Sequence, residues 1–198
     1  MNLTNLNKGL HLILGPAWSG KTNFAVKELA HEASVQWLGT GQLKDSKLNQ
    51  HINNLKSTRP KTWTSIDCPE TLIEILAANS ALSQLQVIDS ASQWLVNQMV
   101  SHSHKYDSSQ LEIFASEQTE ILLESLLFQA KFKPIVLISA EMGAAPPPQE
   151  SLSYEIRKYV GLLNQKLAAV SSTVIFVTAG IGNNIKKSQY SISNQNLK

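Results

Sequence analysis

The sequence predicts an α/β fold, a mostly parallel sheet with helices on both faces, and three observations predict it. Short runs rich in leucine and β-branched residues recur along the chain. Longer segments with apolar residues at helical spacing separate them, and strand followed by helix, repeated, is the pattern of a parallel sheet covered on both sides. The first run leads directly into GPAWSGKT (15–22), a glycine-bracketed loop that opens a helical pattern.

Taken in order, the strands are LHLIL (10–14), VQWL (35–38), WTSI (63–66), LQVID (85–89), PIVLIS (134–139) and TVIFVT (173–178). Leu48, Ile52 and Leu55 mark a helix between the second and third, and Leu111, Ile113, Ile121, Leu122 and Leu126 mark another before the fifth. In such a sheet the strand C-termini and their loops share one edge, and a ligand belongs there. SHSHKYDSS (101–109) reads as a polar surface connection. AAPPPQES (144–151) reads as a stiff loop, because consecutive prolines fix their backbone and donate no hydrogen bond. The expected layout is a single nucleotide-binding domain over residues 1–182 and a frayed polar tail over 183–198.

Composition narrows the function. The 198 residues, 42% of them hydrophobic, are enough for one domain with a substantial core. No apolar run approaches the ~18 residues that cross a bilayer, and MNLTNLNKG lacks the layout of a signal peptide, so a cytoplasmic protein is expected. The lone Cys68 forms no internal disulfide and offers no second thiol to zinc. A net charge of +2, with scattered lysines, argues against a nucleic-acid partner.

Gly15, Gly20, Lys21 and Thr22 satisfy G-x-x-x-x-G-K-[ST], in the strand-before, helix-after context that the motif requires. The glycines let the backbone curl so that successive N–H groups of Gly15, Pro16–Ala17–Trp18–Ser19 and Gly20 surround an anion at the helix N-terminus, proline alone contributing no donor. Lys21 would neutralise the terminal phosphates and the Thr22 hydroxyl would bind magnesium. Magnesium also calls for a carboxylate at a neighbouring strand end, and Asp89 stands there; a strand-terminal aspartate is equally a routine N-cap for the next helix.

The order of segments resembles the bifunctional adenosylcobinamide kinase/adenosylcobinamide-phosphate guanylyltransferases of cobalamin biosynthesis. GPAWSGKT is similar to that family's G-x-A-R-S-G-K-S loop. TGQLKDSKLNQHINNLKSTRPKTW resembles its D-x-x-M-x-x-R-I-x-x-H-x-x-x-R-P-x-x-W run, with Thr40, Asp45, Ile52, Arg59, Pro60 and Trp63 in register. DSASQWLVN matches its D-x-x-x-x-W-x-x-N at Asp89, Trp94 and Asn97, and EMGAAPPP its E-x-G-x-G-x-x-P at Glu141, Gly143 and Pro148. GLLNQKLAAVSSTVIFVTAGI resembles the C-terminal pattern. The resemblance implies a P-loop NTPase with a RecA-like sheet, ATP or GTP as substrate with Mg2+, an adenosylcobinamide acceptor, and a homo-oligomeric ring, commonly a trimer. It implies that residues 15 to 22 hold phosphates and that Thr40, Gly41, Gln42, Lys56, Ser57, Thr58, Arg59, Asp67 and Asp89 surround nucleotide.

One departure bears on mechanism. The family's GMP-carrying histidine falls on Leu55, whose alkyl side chain has no lone pair to attack the α-phosphorus. Leu55 continues the apolar stripe of its helix. The nearest imidazole is His51, one helical turn away, read either as a substitute nucleophile or as a histidine that is solvated or neighbours the nucleotide. His11, His31, His102 and His104 form no constellation. Trp18 replaces the loop's arginine and would either close a hydrophobic gap or stack on a base or corrin edge. Asp67 reads as an N-cap, with Pro69 in the first turn and Glu70 at capping-box spacing, a role compatible with ligand contact. Glu141 ends the fifth strand with either a substrate or magnesium role or a cap or surface role. Three functions therefore compete: a corrinoid kinase without guanylyl transfer, the full two-step enzyme, and a non-catalytic nucleotide-binding subunit or scaffold.

Overall fold

The computed structural model describes residues 3, 6–41, 46–78, 84–144, 146 and 148–186, and the side chains of 46–49 and 51 lie outside that description. Its elements alternate strictly at first: β1 (Gly9–Gly15), α1 (Lys21–Leu29), β2 (Val35–Gly39), α2 (Ser46–Ser57), β3 (Thr64–Asp67), α3 (Leu72–Ala78) and β4 (Leu85–Asp89). Two consecutive helices, α4 (Ala91–His102) and α5 (Ser108–Ala130), precede β5 (Pro134–Ala140), α6 (Ser151–Val170), β6 (Thr173–Thr178) and β7 (Ile181–Asn184).

The seven strands form one sheet in the order β3-β2-β4-β5-β1-β6-β7. Every pairing is parallel except β6 with β7. All six strands expected from sequence are present. The seventh was not legible, because IGNN has little apolar content and is held as an edge by β6, Phe176 facing Asn183 across the pair. Asn183 and Asn184, expected to begin the polar tail, are thus the paired end of a strand, and the Ile185 N–H still donates to the Val174 carbonyl at 2.8 Å.

Alternation along the strands sorts their side chains onto two faces. Leu10, Leu12, Leu14, Leu38, Ile88, Ile135 and Leu137 pack with α3 to α6, around Leu76, Trp94, Leu126 and Leu163. Ile13, Val35, Trp37, Val87, Val136 and Ile138 face the other way, against Ala25, Val26 and Leu29 of α1 and against Trp63. Burial from both sides explains why these strands read as continuous apolar runs. Among the described residues, no helix is long and apolar enough to cross a membrane.

The connections also depart from the expected boundaries. α4 runs through His102, and the polar stretch then turns into α5 at Asp107, whose side chain accepts from the Gln110 N–H while the Gln110 side chain accepts from the Asp107 N–H. This reciprocal cap sets the start of the expected helix within a stretch, 101–109, that its polar composition marked as a surface connection.

Candidate functional site

Because the strands are parallel, the C-terminal ends of β1, β2, β3, β4 and β5 meet at one edge, bringing Gly15, Gly39, Asp67, Asp89 and Ala140 to the same rim. The loop after β1 is held there by its backbone. A Cβ on Gly15 would stand 2.3 Å from the Val177 carbonyl oxygen, so only glycine fits. Gly20 takes a left-handed conformation, φ 91°, and caps α1 with no side-chain hydrogen bond, leaving the first amides of the helix unclaimed by a side chain. The Ser19 N–H donates to the Pro16 carbonyl at 3.2 Å, and the Gly180 N–H donates to the Ser19 carbonyl at 2.8 Å. The buried Ser19 hydroxyl has no hydrogen-bond partner among the described residues.

Lys21 folds back over this loop, its Nζ donating to the Pro16 carbonyl at 2.8 Å. Burial lowers its pKa and the charge of Asp89 works against that. The Thr22 hydroxyl donates to Asp89 Oδ2 at 3.1 Å. Burial pushes the Asp89 carboxyl above the usual carboxylate range, opposed by the Thr22 hydrogen bond, by Arg59 and Lys21, and by the Trp37 indole.

Asp89 is not the N-cap that its position after a strand allowed. Ser90 caps α4 by accepting from the Gln93 N–H at 3.2 Å. That transfer of the capping role frees the aspartate for the rim. Thr40 lies behind it, fully buried, accepting from the Ser90 N–H at 2.7 Å and donating to the Ser90 carbonyl at 2.8 Å. Its own N–H donates to the Asp89 carbonyl at 2.9 Å. Thr40 therefore holds the Asp89–Ser90 segment and does not line the cavity. Asn97 braces the same layer, its amide donating to the Thr40 carbonyl at 2.9 Å and the Pro69 carbonyl at 2.8 Å.

Across the cavity lies α2. Lys56 pairs with Asp67 at 2.7 Å, so Asp67 caps no helix: α3 begins only at Leu72. Arg59 lies 4.2 Å above the Trp37 ring, and Trp37 stacks in turn on Trp63 at 5.9 Å. The Arg59 Nη1 donates to Ser65 Oγ at 2.9 Å. Burial lowers the pKa of Arg59, and the carboxylates of Asp89 and Asp67 counter it. Ser57 and Thr58 donate to the carbonyls of Asn54 and Leu55 at 2.7 and 2.8 Å and are not among the residues that line the cavity. They finish the helix.

The space between is two joined hollows. One, of about 290 Å3, is lined by Trp18, Ser19, Gly20, Lys21, Thr22, Asn23 and Leu55. The other, of about 200 Å3, lies among Thr22, Gly41, Leu55, Lys56, Arg59, Asp67 and Asp89. Thr22 and Leu55 belong to both. Leu55, expected to serve only helix packing, thus also faces the phosphate loop. Trp18 closes no hydrophobic gap, since it is 85% exposed. Pro16 contributes a carbonyl and Ala17 is exposed at the crown of the loop. Gln42 and the His51 side chain lie outside the described residues. Gly39, Ser90, Gln93 and Asn23 line the hollows without having been anticipated. Ser90 carried the one available signal, a cap-forming residue immediately before a helix.

Glu141 accepts a hydrogen bond from the Gly143 N–H, and the Gly143 carbonyl accepts from Arg157. It closes its own turn. Cys68 is fully buried, and burial pushes its thiol up to about 12, in keeping with an inert thiol.

The hard oxygens of Thr22 and Asp89, 3.1 Å apart at the foot of an amide-lined loop, fit a magnesium ion that completes its shell with phosphate and water. No cluster of three or more histidine, cysteine or acidic residues suited to an all-protein metal site occurs among the described residues.

Comparison with known proteins agrees with this arrangement. The family model described as cobinamide kinase/cobinamide phosphate guanyltransferase matches residues 11–185. The bifunctional adenosylcobalamin biosynthesis protein CobU of Escherichia coli K12 is 26% identical over 178 residues, covering 88% of this chain and 98% of that protein. Its counterpart from Salmonella typhimurium LT2 is 27% identical over the same shares, and CobP of Pseudomonas aeruginosa is 28% identical over 171 residues, 86% of this chain and 93% of that protein. An ATPase of the type III secretion system of pathogenic bacteria superposes with a TM-score of 0.57 at 8% identity, over 93% of this chain and 54% of the ATPase, a likeness of fold alone. With its mostly parallel sheet and its phosphate loop in place, the chain is a P-loop, RecA-like protein that belongs to the cobinamide kinase/cobinamide phosphate guanyltransferase family.

Proposed function

We propose that this protein is a nucleoside-triphosphate-dependent kinase that phosphorylates the aminopropanol hydroxyl of adenosylcobinamide and does not carry GMP on its own chain. The observation that carries the reading is the pairing of Thr22 and Asp89 at 3.1 Å beneath the phosphate loop, with Leu55 across the same cavity. Phosphoryl transfer depends on position and charge. The acceptor oxygen bonds to the γ-phosphorus as the bond to the bridging oxygen breaks, nucleoside diphosphate leaves, and the hydroxyl proton passes to solvent. The loop amides orient the phosphates. Lys21 exchanges the Pro16 carbonyl for phosphate oxygen, and Arg59, kept off both carboxylates by its seat on Trp37, offers a second cation. Thr22 and Asp89 would hold Mg2+, whose charge offsets that of the β- and γ-phosphates.

Guanylyl transfer through the enzyme needs a nucleophile at the α-phosphorus, and an alkyl group at position 55 supplies none. Two labels test the reading. With γ-labelled ATP or GTP, label is expected on adenosylcobinamide. With α-labelled GTP, the chain is expected to stay free of acid-labile, base-stable label. A stoichiometric adduct would instead establish the two-step enzyme, and nucleotide binding without turnover on a corrinoid would establish the scaffold.

A further inference from the structure

Gln93 lines the second hollow and takes no part in the phosphoryl-transfer chemistry above. The hydrogen bonds behind it decide which end of its amide is left for a ligand. Asn97, 2% exposed, donates from Nδ2 to the Thr40 carbonyl at 2.9 Å and to the Pro69 carbonyl at 2.8 Å. A backbone carbonyl only accepts, so both protons of the Asn97 amide are committed and its Oδ1 is left as an acceptor. Gln93 Nε2 donates to that Oδ1 at 2.8 Å. Turned over, the Gln93 amide would set oxygen against oxygen. Its Oε1 is therefore the end held away from Asn97, and it has no hydrogen-bond partner among the described residues. Nor is that oxygen sealed in, unlike the buried, unpartnered amide oxygens of Gln86 and Gln129. Around the same hollow, Lys56 is taken up by Asp67, the Thr22 hydroxyl by Asp89, and the Ser90 hydroxyl by the Gln93 N–H. Gln93 is left as a neutral acceptor in a wall of paired groups.

We propose that Gln93 is a specificity-determining residue of the second hollow, its oriented carboxamide oxygen accepting a hydrogen bond from a neutral N–H or O–H of the bound substrate. Ionised phosphate oxygens have no proton to give it. The nucleotide offers such donors on its base and ribose, and the corrinoid acceptor on its amides and hydroxyl. A pocket built to pair one such donor rejects analogues that lack it. The proposal rests on the kinase reading for the identity of the two substrates.

Gln93→Met keeps the length of the side chain and removes the amide. Calorimetric titration with Mg-GTP, Mg-ATP and cobinamide, each alone, reads binding without turnover. The Kd for one substrate, nucleotide or corrinoid, is expected to rise about fivefold, the scale of one neutral hydrogen bond, while the other moves by less than about twofold. In steady-state phosphoryl transfer, the loss in kcat/KM should come from the KM of that same substrate and not from kcat. The arms identify the donor. A shift confined to GTP or to ATP places it on the base, a shift shared by both places it on the ribose, and a shift for cobinamide places it on the acceptor. Any of these in a protein that transfers no phosphoryl group upholds the role of Gln93 and sinks the kinase. Unchanged constants for all three ligands, or equal rises for all three with a lower melting temperature, overturn it.

Discussion

The phosphate loop and the α2 rim face each other across one cavity and are built from different materials. In the loop, the groups that would meet a phosphate are backbone amides together with the Lys21 ammonium, the amides fixed by Gly15 against Val177, by Gly20 at φ 91° and by the seam to Gly180. On the rim they are side chains: Lys56 on Asp67, Arg59 on Trp37, and Leu55. A function carried by backbone survives substitutions that keep the loop's glycines and its N–H groups, whereas a function carried by one lone pair is lost with one residue. On the proposed reading, that contrast is what lets phosphoryl transfer persist where guanylyl transfer through the chain does not.

The sharpest way to break the comparison is Leu55→His. It should take the chain from background to about one acid-labile GMP per protein after α-labelled GTP, because the new imidazole enters the hollow that holds Lys21 and Thr22. If no adduct forms, the rim lacks more than a nucleophile. Next in size, Lys21→Ala should lower phosphoryl transfer to cobinamide by about 10^3-fold, the scale of one cation facing developing phosphate charge, with Leu55→Ala losing far less. Equal losses would mean that the rim shares the loop's role.

Smaller in activity, and opposite in sign for stability, is Asp89→Asn. Transfer should fall by about 10^2-fold, yet the nucleotide-free protein should melt higher than the parent at neutral pH. The sign follows from the raised pKa of Asp89. A carboxyl pushed up by folding favours the protonated state, so its ionised form costs stability once pH rises through the folded pKa, and below the unfolded pKa that cost is absent. Thermal melts of the two proteins should therefore converge on acidification. A parent that melts higher than the variant at pH 7 would contradict the burial argument.

Much of this site was legible beforehand because its signals are local. G-x-x-x-x-G-K-T after an apolar strand names eight consecutive residues, and the periodicity of Leu48, Ile52 and Leu55 placed α2. What stayed illegible depended on partners distant in the chain. Asp89 or Ser90 could each have capped α4, and Thr40, fifty positions away from Ser90, helps hold the arrangement that leaves the aspartate free. Asp67 looked like a cap through DCPE, but Lys56 takes it across α2 and β3. Trp18 could have closed a hydrophobic gap or stacked on a base or corrin edge, and the structure leaves it 85% exposed. β7 has almost no hydrophobic signature and exists because β6 offers an open edge.

By itself, then, the amino-acid order determined the alternation of strands and helices, the phosphate loop and the absence of an imidazole at position 55, since each follows from composition and spacing within a few residues. Which carboxylate stays free, which cation stacks rather than pairs, and which aromatic meets solvent were decided only when the sheet closed. Each depends on competition for hydrogen bonds and burial among groups that chain proximity does not bring together.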